Sequence, residues 1–225
     1  RKWDKDEVAW RINGGDGANE HPTQALLDLY TIRKEVQHRG GGIDGLRIAM
    51  IGDLRFGRTV HSLSKLLASF DRVHLTCIAP AELRMPGEIV EALRSRGHTV
   101  VESDAMESSI AHVDIAYSTR IQEERFASKE EANLYRGRYR LNQAIYTQYC
   151  EPNTVIMHPL PRDSRVEANE LDPDLNENPN LAIFRQTDNG VLVRMALFAL
   201  VLDVVHLVER YEASVSWYTG KRFGE

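Results

Sequence analysis

The sequence predicts an α/β fold, a parallel doubly wound sheet with helices on both faces. Two observations predict it. Short apolar, β-branched runs alternate with stretches whose apolar residues recur at helical spacing, the pattern of βαβ units joined by right-handed crossovers. Several runs also open directly into polar or Pro-bearing loops. In open α/β sheets ligands sit just beyond such carboxyl ends of strands.

Taken in order, residues 1–12 are mixed in charge and show no clear period. Asn13-Gly14-Gly15-Asp16-Gly17-Ala18-Asn19 is turn chemistry. It leads into a helix from His21 to Ile32, with Pro22 at the first helical position, and Gly40-Gly41-Gly42 ends that unit. Leu46–Ile51 reads as a buried strand, Thr59–Phe70 as a helix, Val73–Ala79 as a strand and Gly87–Arg96 as a helix. His98–Glu102 and Val113–Tyr117 read as further strands. Ala127–Cys150 reads as helical with a break near Gly137, then come a strand at Thr154–Met157 and a polar loop over 163–180. Asp188 or Asn189 is expected to cap a long last helix from about Gly190 to Tyr211. The expected division is 1–40 as N-terminal segment and interdomain helix, 41–185 as the ligand-binding α/β domain, and 186–225 as a C-terminal helix.

Composition narrows the function classes. Of 225 residues, 42% are hydrophobic and 27% charged, with a net charge of −5, which is the make-up of a soluble globular protein and not of a nucleic-acid binder. No apolar run approaches the ~18 residues a membrane span needs, and the charged start carries no signal-peptide core. Cys77 and Cys150 form neither a metal spacing nor a disulfide framework, so no metal or cofactor is expected and a cytoplasmic setting is.

Four clusters near strand or helix ends carry candidate chemistry. His21 and Gln24 share one face of a helix start. Arg58 follows the first strand, Arg120 and Gln122 follow the strand ending Tyr117-Ser118-Thr119, and His158-Pro159-Leu160-Pro161-Arg162 closes the last one. Two guanidinium groups converging on one crevice suit a small dicarboxylate. A histidine and a glutamine beside a carbonyl-rich turn suit a neutral carbonyl that must be polarised or held. Taken singly each has a plainer reading: His21 as a helix cap, Arg58 and Arg120 as surface or ion-paired residues, with Glu124 in reach of Arg120, and the Pro-rich stretch as a strand exit. Gly52-Asp53-Leu54-Arg55-Phe56-Gly57-Arg58-Thr59 nearly spells a P-loop. Asp53 inside the loop would repel phosphate, however, and no strand ends in a partnering Asp.

In this order the clusters resemble the aspartate carbamoyltransferases. The matching stretches are Gly15-Asp16-Gly17 with His21-Pro22-Thr23-Gln24 and Leu26-Leu27-Asp28, Gly52-Asp53-Leu54 with Gly57-Arg58-Thr59-Val60-His61-Ser62-Leu63, and Ser118-Thr119-Arg120-Ile121-Gln122 with Glu124-Arg125. His158-Pro159-Leu160-Pro161-Arg162 and Phe184-Arg185-Gln186 with Asn189-Gly190 and Arg194 complete them. The sister ornithine enzymes carry a Cys where this chain has Pro159. The resemblance implies transfer of a carbamoyl group from carbamoyl phosphate to L-aspartate, an early step towards pyrimidines. It implies that His21 hydrogen-bonds the carbamoyl oxygen and that Gln24 and the Leu160 carbonyl orient the carbamoyl nitrogen. Arg58, Arg120 and Gln122 would clamp the aspartate carboxylates, Pro161 would line the site, and Glu124 and Arg162 would support it. No covalent nucleophile is implied; positioning and electrostatics carry the rate.

The family's Ser-Thr-Arg-Thr phosphate cradle, held on an N-terminal carbamoyl-phosphate domain, has no counterpart here. Ser118-Thr119-Arg120-Ile121 falls in the aspartate-side position. The last helix is apolar nearly all round, which predicts a face that needs cover. The expectation is therefore an aspartate-binding half, inactive alone, partnered by a carbamoyl-phosphate domain that is missing or on a separate chain, in a homotrimer. The alternative is a non-catalytic ligand-binding or scaffold domain.

Overall fold

Ile48 and Met50 point to one face of a sheet, while Ala49 and Ile51 point to the other. All four are fully buried, as expected of a parallel strand covered on both sides. In this computed structural model, residues 11–210 are described, apart from 18, 39, 127 and 209. The segment 1–10 and residue 211 lie outside them.

The strands are β1 (Arg47–Ile51), β2 (His74–Ile78), β3 (Thr99–Ser103), β4 (Ile115–Ser118) and β5 (Val155–Met157). They form a five-stranded sheet in the order β3-β2-β1-β4-β5, every pairing parallel. The chain winds outward through β2 and β3 and then returns to β4 on the far side of β1. The order thus reverses between β1 and β4, whose carboxyl ends flank the crevice where such sheets take ligands.

The helices are α1 (Pro22–Gln37), α2 (Arg58–Leu67), α3 (Gly87–Ser95), α4 (Met106–Ser109), α5 (Lys129–Asn133), α6 (Gln143–Tyr149) and α7 (Ile183–Val201). One face of the sheet is covered by Ile32 and Val36 of α1, Val60 and Leu63 of α2 and Leu93 of α3. The other is covered by Met106, Ile110, Tyr146 and Leu175. Helices α1 and α7 are joined by polar links: Arg185 to Glu35 at 2.7 and 3.2 Å, and Asn189 to the Thr31 hydroxyl at 2.9 Å.

Two expectations need correction. Helix α7 runs from Ile183 to Val201, short of the expected Tyr211 and earlier than the expected Gly190, so Asp188 and Asn189 lie inside it and cap nothing; the Asn189 amide is spent on Thr31 across the α1 contact. Ala127–Cys150 is two short helices. The break near Gly137 widens because Asn142 caps α6 by accepting from Ile145 N–H at 2.8 Å, while Tyr139 and Leu141 turn into the core. Along α7, Val191, Leu192, Met195, Phe198 and Leu200 are exposed, and with Leu26, Leu29 and Tyr30 of α1 the helix borders an open apolar groove of about 660 Å³. No helix among the described residues is long and apolar enough to cross a membrane.

Candidate active site

A cavity of about 180 Å³ opens beyond β1, β4 and β5. His21, Gln24, Arg58, Arg120, Gln122, Leu160 and Pro161 all line it, together with Thr59, Thr119 and His158. These residues come from four separated stretches of sequence, and the switch point between β1 and β4 brings them together.

The β1 exit carries Arg58. Its Nη1 donates to the Gly17 carbonyl at 3.1 Å, so the turn before α1 lies against the guanidinium. A side chain at Gly15, where φ is +124°, would put its Cβ 2.9 Å from that group. Asp53, the residue that spoils the P-loop pattern, faces inward. Its carboxylate accepts from Phe56 N–H at 2.9 Å and from Gln122 N–H at 3.2 Å, and Gln122 Nε2 donates to the Phe56 carbonyl at 2.8 Å. The β1 and β4 exits are thereby tied to one another.

The β4 exit carries Arg120, clamped by Glu124 at 2.6 and 3.2 Å. That guanidinium holds the Glu124 carboxyl below its usual range. Behind it a second ionic cluster fixes the segment, with Glu123 accepting bidentately from Arg136 at 2.6 Å and also from Arg165. These cations push the Glu123 carboxyl down to about 2.

At the β5 exit, His158 does not face the cavity with its ring. It is 1% exposed; its Nδ1 accepts from Leu160 N–H at 2.8 Å, and Nε2 sits 2.8 Å from Glu170 Oε1 at an angle off the N–H axis. The histidine thus works inside the loop, holding Leu160 at a φ of +58° ahead of a cis peptide bond to Pro161. Arg162 turns away from the cavity to Asn176 Oδ1, at 3.0 Å.

On α1, burial together with Arg58 and Arg194 lowers the pKa of His21. The imidazole is therefore neutral at pH 7 and offers one N–H. Thr23 Oγ1 lies 3.4 Å from Nδ1. Among the described residues no group of three or more His, Cys, Asp or Glu side chains could hold a metal ion. Sequence reasoning assigned no role in the site to the buried polar residues behind this lining: Asp28, Asp53, Glu170 and Gln186. The polar letters of Asp28 and Gln186 within apolar helix faces were the available signal.

Residues 44–201 match the family model for the aspartate/ornithine carbamoyltransferase, Asp/Orn binding domain. The chain belongs to the aspartate/ornithine carbamoyltransferase family. It is 73% identical over 211 residues to the aspartate carbamoyltransferase catalytic subunit of Cellvibrio japonicus, covering 94% of this chain and 62% of that protein. Against the same subunit from Dichelobacter nodosus it is 51% identical, covering 95% and 62%. Among solved members of the family, the catalytic subunit of M. jannaschii aspartate transcarbamoylase superposes with a TM-score of 0.73 at 37% identity, over 86% of this chain and 59% of that one. The Trypanosoma cruzi aspartate transcarbamoylase in complex with N-(phosphonacetyl)-L-aspartic acid gives 0.70 at 36% identity, over 86% and 56%. The chain therefore spans about six-tenths of the length of these carbamoyltransferases.

Proposed function

We propose that this chain supplies the aspartate site, and part of the carbamoyl site, for carbamoyl transfer from carbamoyl phosphate to L-aspartate. The observation that carries the reading is the single cavity in which two arginines from the β1 and β4 exits face a histidine, a glutamine and the Leu160 turn. Arg58, Arg120 and Gln122 bind the two carboxylates of aspartate and aim its amine. The neutral His21 donates to the carbamoyl oxygen and stabilises the charge that develops there. The Gln24 and Leu160 carbonyls accept from the carbamoyl nitrogen. A nitrogen–carbon bond forms, the carbon–oxygen bond to phosphate breaks, and phosphate leaves with the electron pair and takes up the proton that the attacking amine loses. Holding both reactants in one geometry supplies much of the rate.

The phosphate needs cationic donors beyond those in this cavity. In this proposal they come from a carbamoyl-phosphate domain that covers the apolar groove between α1 and α7, within a trimeric assembly. The relatives' greater length supports it, as does the exposed row from Val191 to Leu200.

The test is carbamoyl-aspartate formation with carbamoyl phosphate and saturating aspartate, beside calorimetric binding of N-(phosphonacetyl)-L-aspartate, on the protein purified with whatever assembles with it. Turnover that Arg58→Ala and Arg120→Ala abolish supports the reading. Tight binding of aspartate analogues with no turnover in any assembly would move the assignment to a non-catalytic ligand-binding domain.

A further inference from the structure

At the centre of the α1–α7 contact a carboxylate is shut away from solvent. Asp28 is 0% exposed. Its Oδ1 accepts from Gln24 Nε2 at 2.9 Å and from Gln186 Nε2 at 2.6 Å, and its Oδ2 accepts from the Tyr117 hydroxyl at 2.6 Å. Gln186 in turn accepts, through Oε1, from His158 N–H at 3.1 Å. One side chain thus touches the helix that carries His21, the strand that leads to Arg120, and the helix that braces the turn at Leu160.

An amide can face either way, and its two ends differ only in whether they donate or accept. An ionised carboxylate removes that freedom, because it only accepts. Both glutamines must turn their NH2 groups towards Asp28. The Gln24 carbonyl oxygen is then left for the cavity, and the Gln186 carbonyl oxygen meets the His158 N–H. We propose that Asp28 is a positioning residue that sets the facing of both amides, so that Gln24 presents an acceptor to the carbamoyl nitrogen and Gln186 anchors the strand exit that bears Leu160. The kinetic side of this rests on the carbamoyl-transfer reading; the facing of the amides does not.

The fold accepts a cost to keep the group there, since burial raises the Asp28 pKa to about 6 even with three donors opposing the rise. What the site gains is polarity. Asparagine at this position could satisfy its neighbours in two ways. With its oxygen towards the glutamines, Tyr117 becomes the acceptor and the amides keep their facing. With its nitrogen towards them, both glutamines flip, and Gln186 meets the His158 N–H donor to donor. The second arrangement is penalised, so asparagine retains most of the device and leucine retains none.

The experiment is a comparison of Asp28→Asn and Asp28→Leu with the parent, in the protein purified with everything that assembles with it. The side-chain amide resonances of Gln24 and Gln186 are read by NMR beside steady-state kinetics. Expected are downfield, exchange-protected NH2 signals for both glutamines in the parent and in Asp28→Asn, and their loss in Asp28→Leu. The value of kcat/KM for carbamoyl phosphate falls less than about 10-fold in Asp28→Asn and by about 100-fold or more in Asp28→Leu, with KM for aspartate changing less. Gln24 signals in the parent like those of an exposed glutamine would overturn the proposal without need of any variant, as would equal kinetic losses in the two variants. Absence of turnover in the parent would sink the carbamoyl-transfer reading instead, while the amide signals still decide this one.

Discussion

A Cβ at Gly52 would lie 2.3 Å from the Thr119 carbonyl oxygen. These two residues are the first positions past β1 and β4, and their close approach makes the two strand exits share one crevice. Gly52 also sits at a φ of +112°, where any other residue is strained. Gly52→Ala is therefore expected to destabilise the fold by roughly 2–4 kcal/mol and to push the Arg58 and Arg120 loops apart. Chemical denaturation measures the first effect. The second appears as a loss of aspartate-analogue binding larger than the fraction of unfolded protein explains.

Arg120 is held by Glu124 from the exposed side, with the arginine half-buried. A pair this open contributes only ~0–1 kcal/mol to stability, so its value lies in the pose it gives the guanidinium. Glu124→Gln is expected to leave the melting temperature within about 2 °C while raising KM for aspartate by roughly 3- to 10-fold. Thermal unfolding and initial-rate kinetics on one preparation separate the two. An unchanged KM would show that Arg120 finds its pose without Glu124.

The sheet and most of the cavity lining were legible in the sequence because they depend on local pattern. Runs such as Leu46–Ile51 and Val73–Ala79 betray buried strands, and polar residues just past them mark the side where ligands sit. What the sequence concealed is non-local. Asp28 reads as one polar letter in an amphipathic helix, and nothing in the spacing says that it meets Tyr117 and Gln186 from elements far along the chain. His158 opens the last cluster in the sequence, where nothing shows that its ring is spent on Leu160 N–H. The start of α7 was misplaced because Asp188 and Asn189 carry capping chemistry that the contact with α1 puts to other use.

Leu160 adopts a φ of +58°, a left-handed conformation that costs a non-glycine residue about 1–2 kcal/mol and a β-branched one more. The proposed function uses its backbone carbonyl, so on that reading side-chain changes act through the backbone angle. Leu160→Ile should strain the turn, shift the carbonyl and lower kcat by roughly 10-fold or more. Leu160→Gly removes the strain and is expected to be the more active of the two. A side chain that bound substrate directly would give the reverse order.

The buried Asp28 carboxyl makes a prediction about pH. Its pKa is raised from 3.8 to about 6 in the folded chain, chiefly by burial. A raised acid binds its proton more tightly folded than unfolded, so its contribution favours folding below about pH 4 and is lost as pH rises through about 6. Between pH 4.5 and 7.5 the loss is on the order of 2 kcal/mol. Asp28→Asn has no proton to lose, so its stability relative to the parent should rise by that order across the same interval. Urea denaturation of both proteins at the two pH values reads the difference directly, with every other titrating group common to the pair. A difference that stays constant with pH would mean that Asp28 titrates as it does in water, and that the charge at the α1–α7 contact is not confined as the geometry requires.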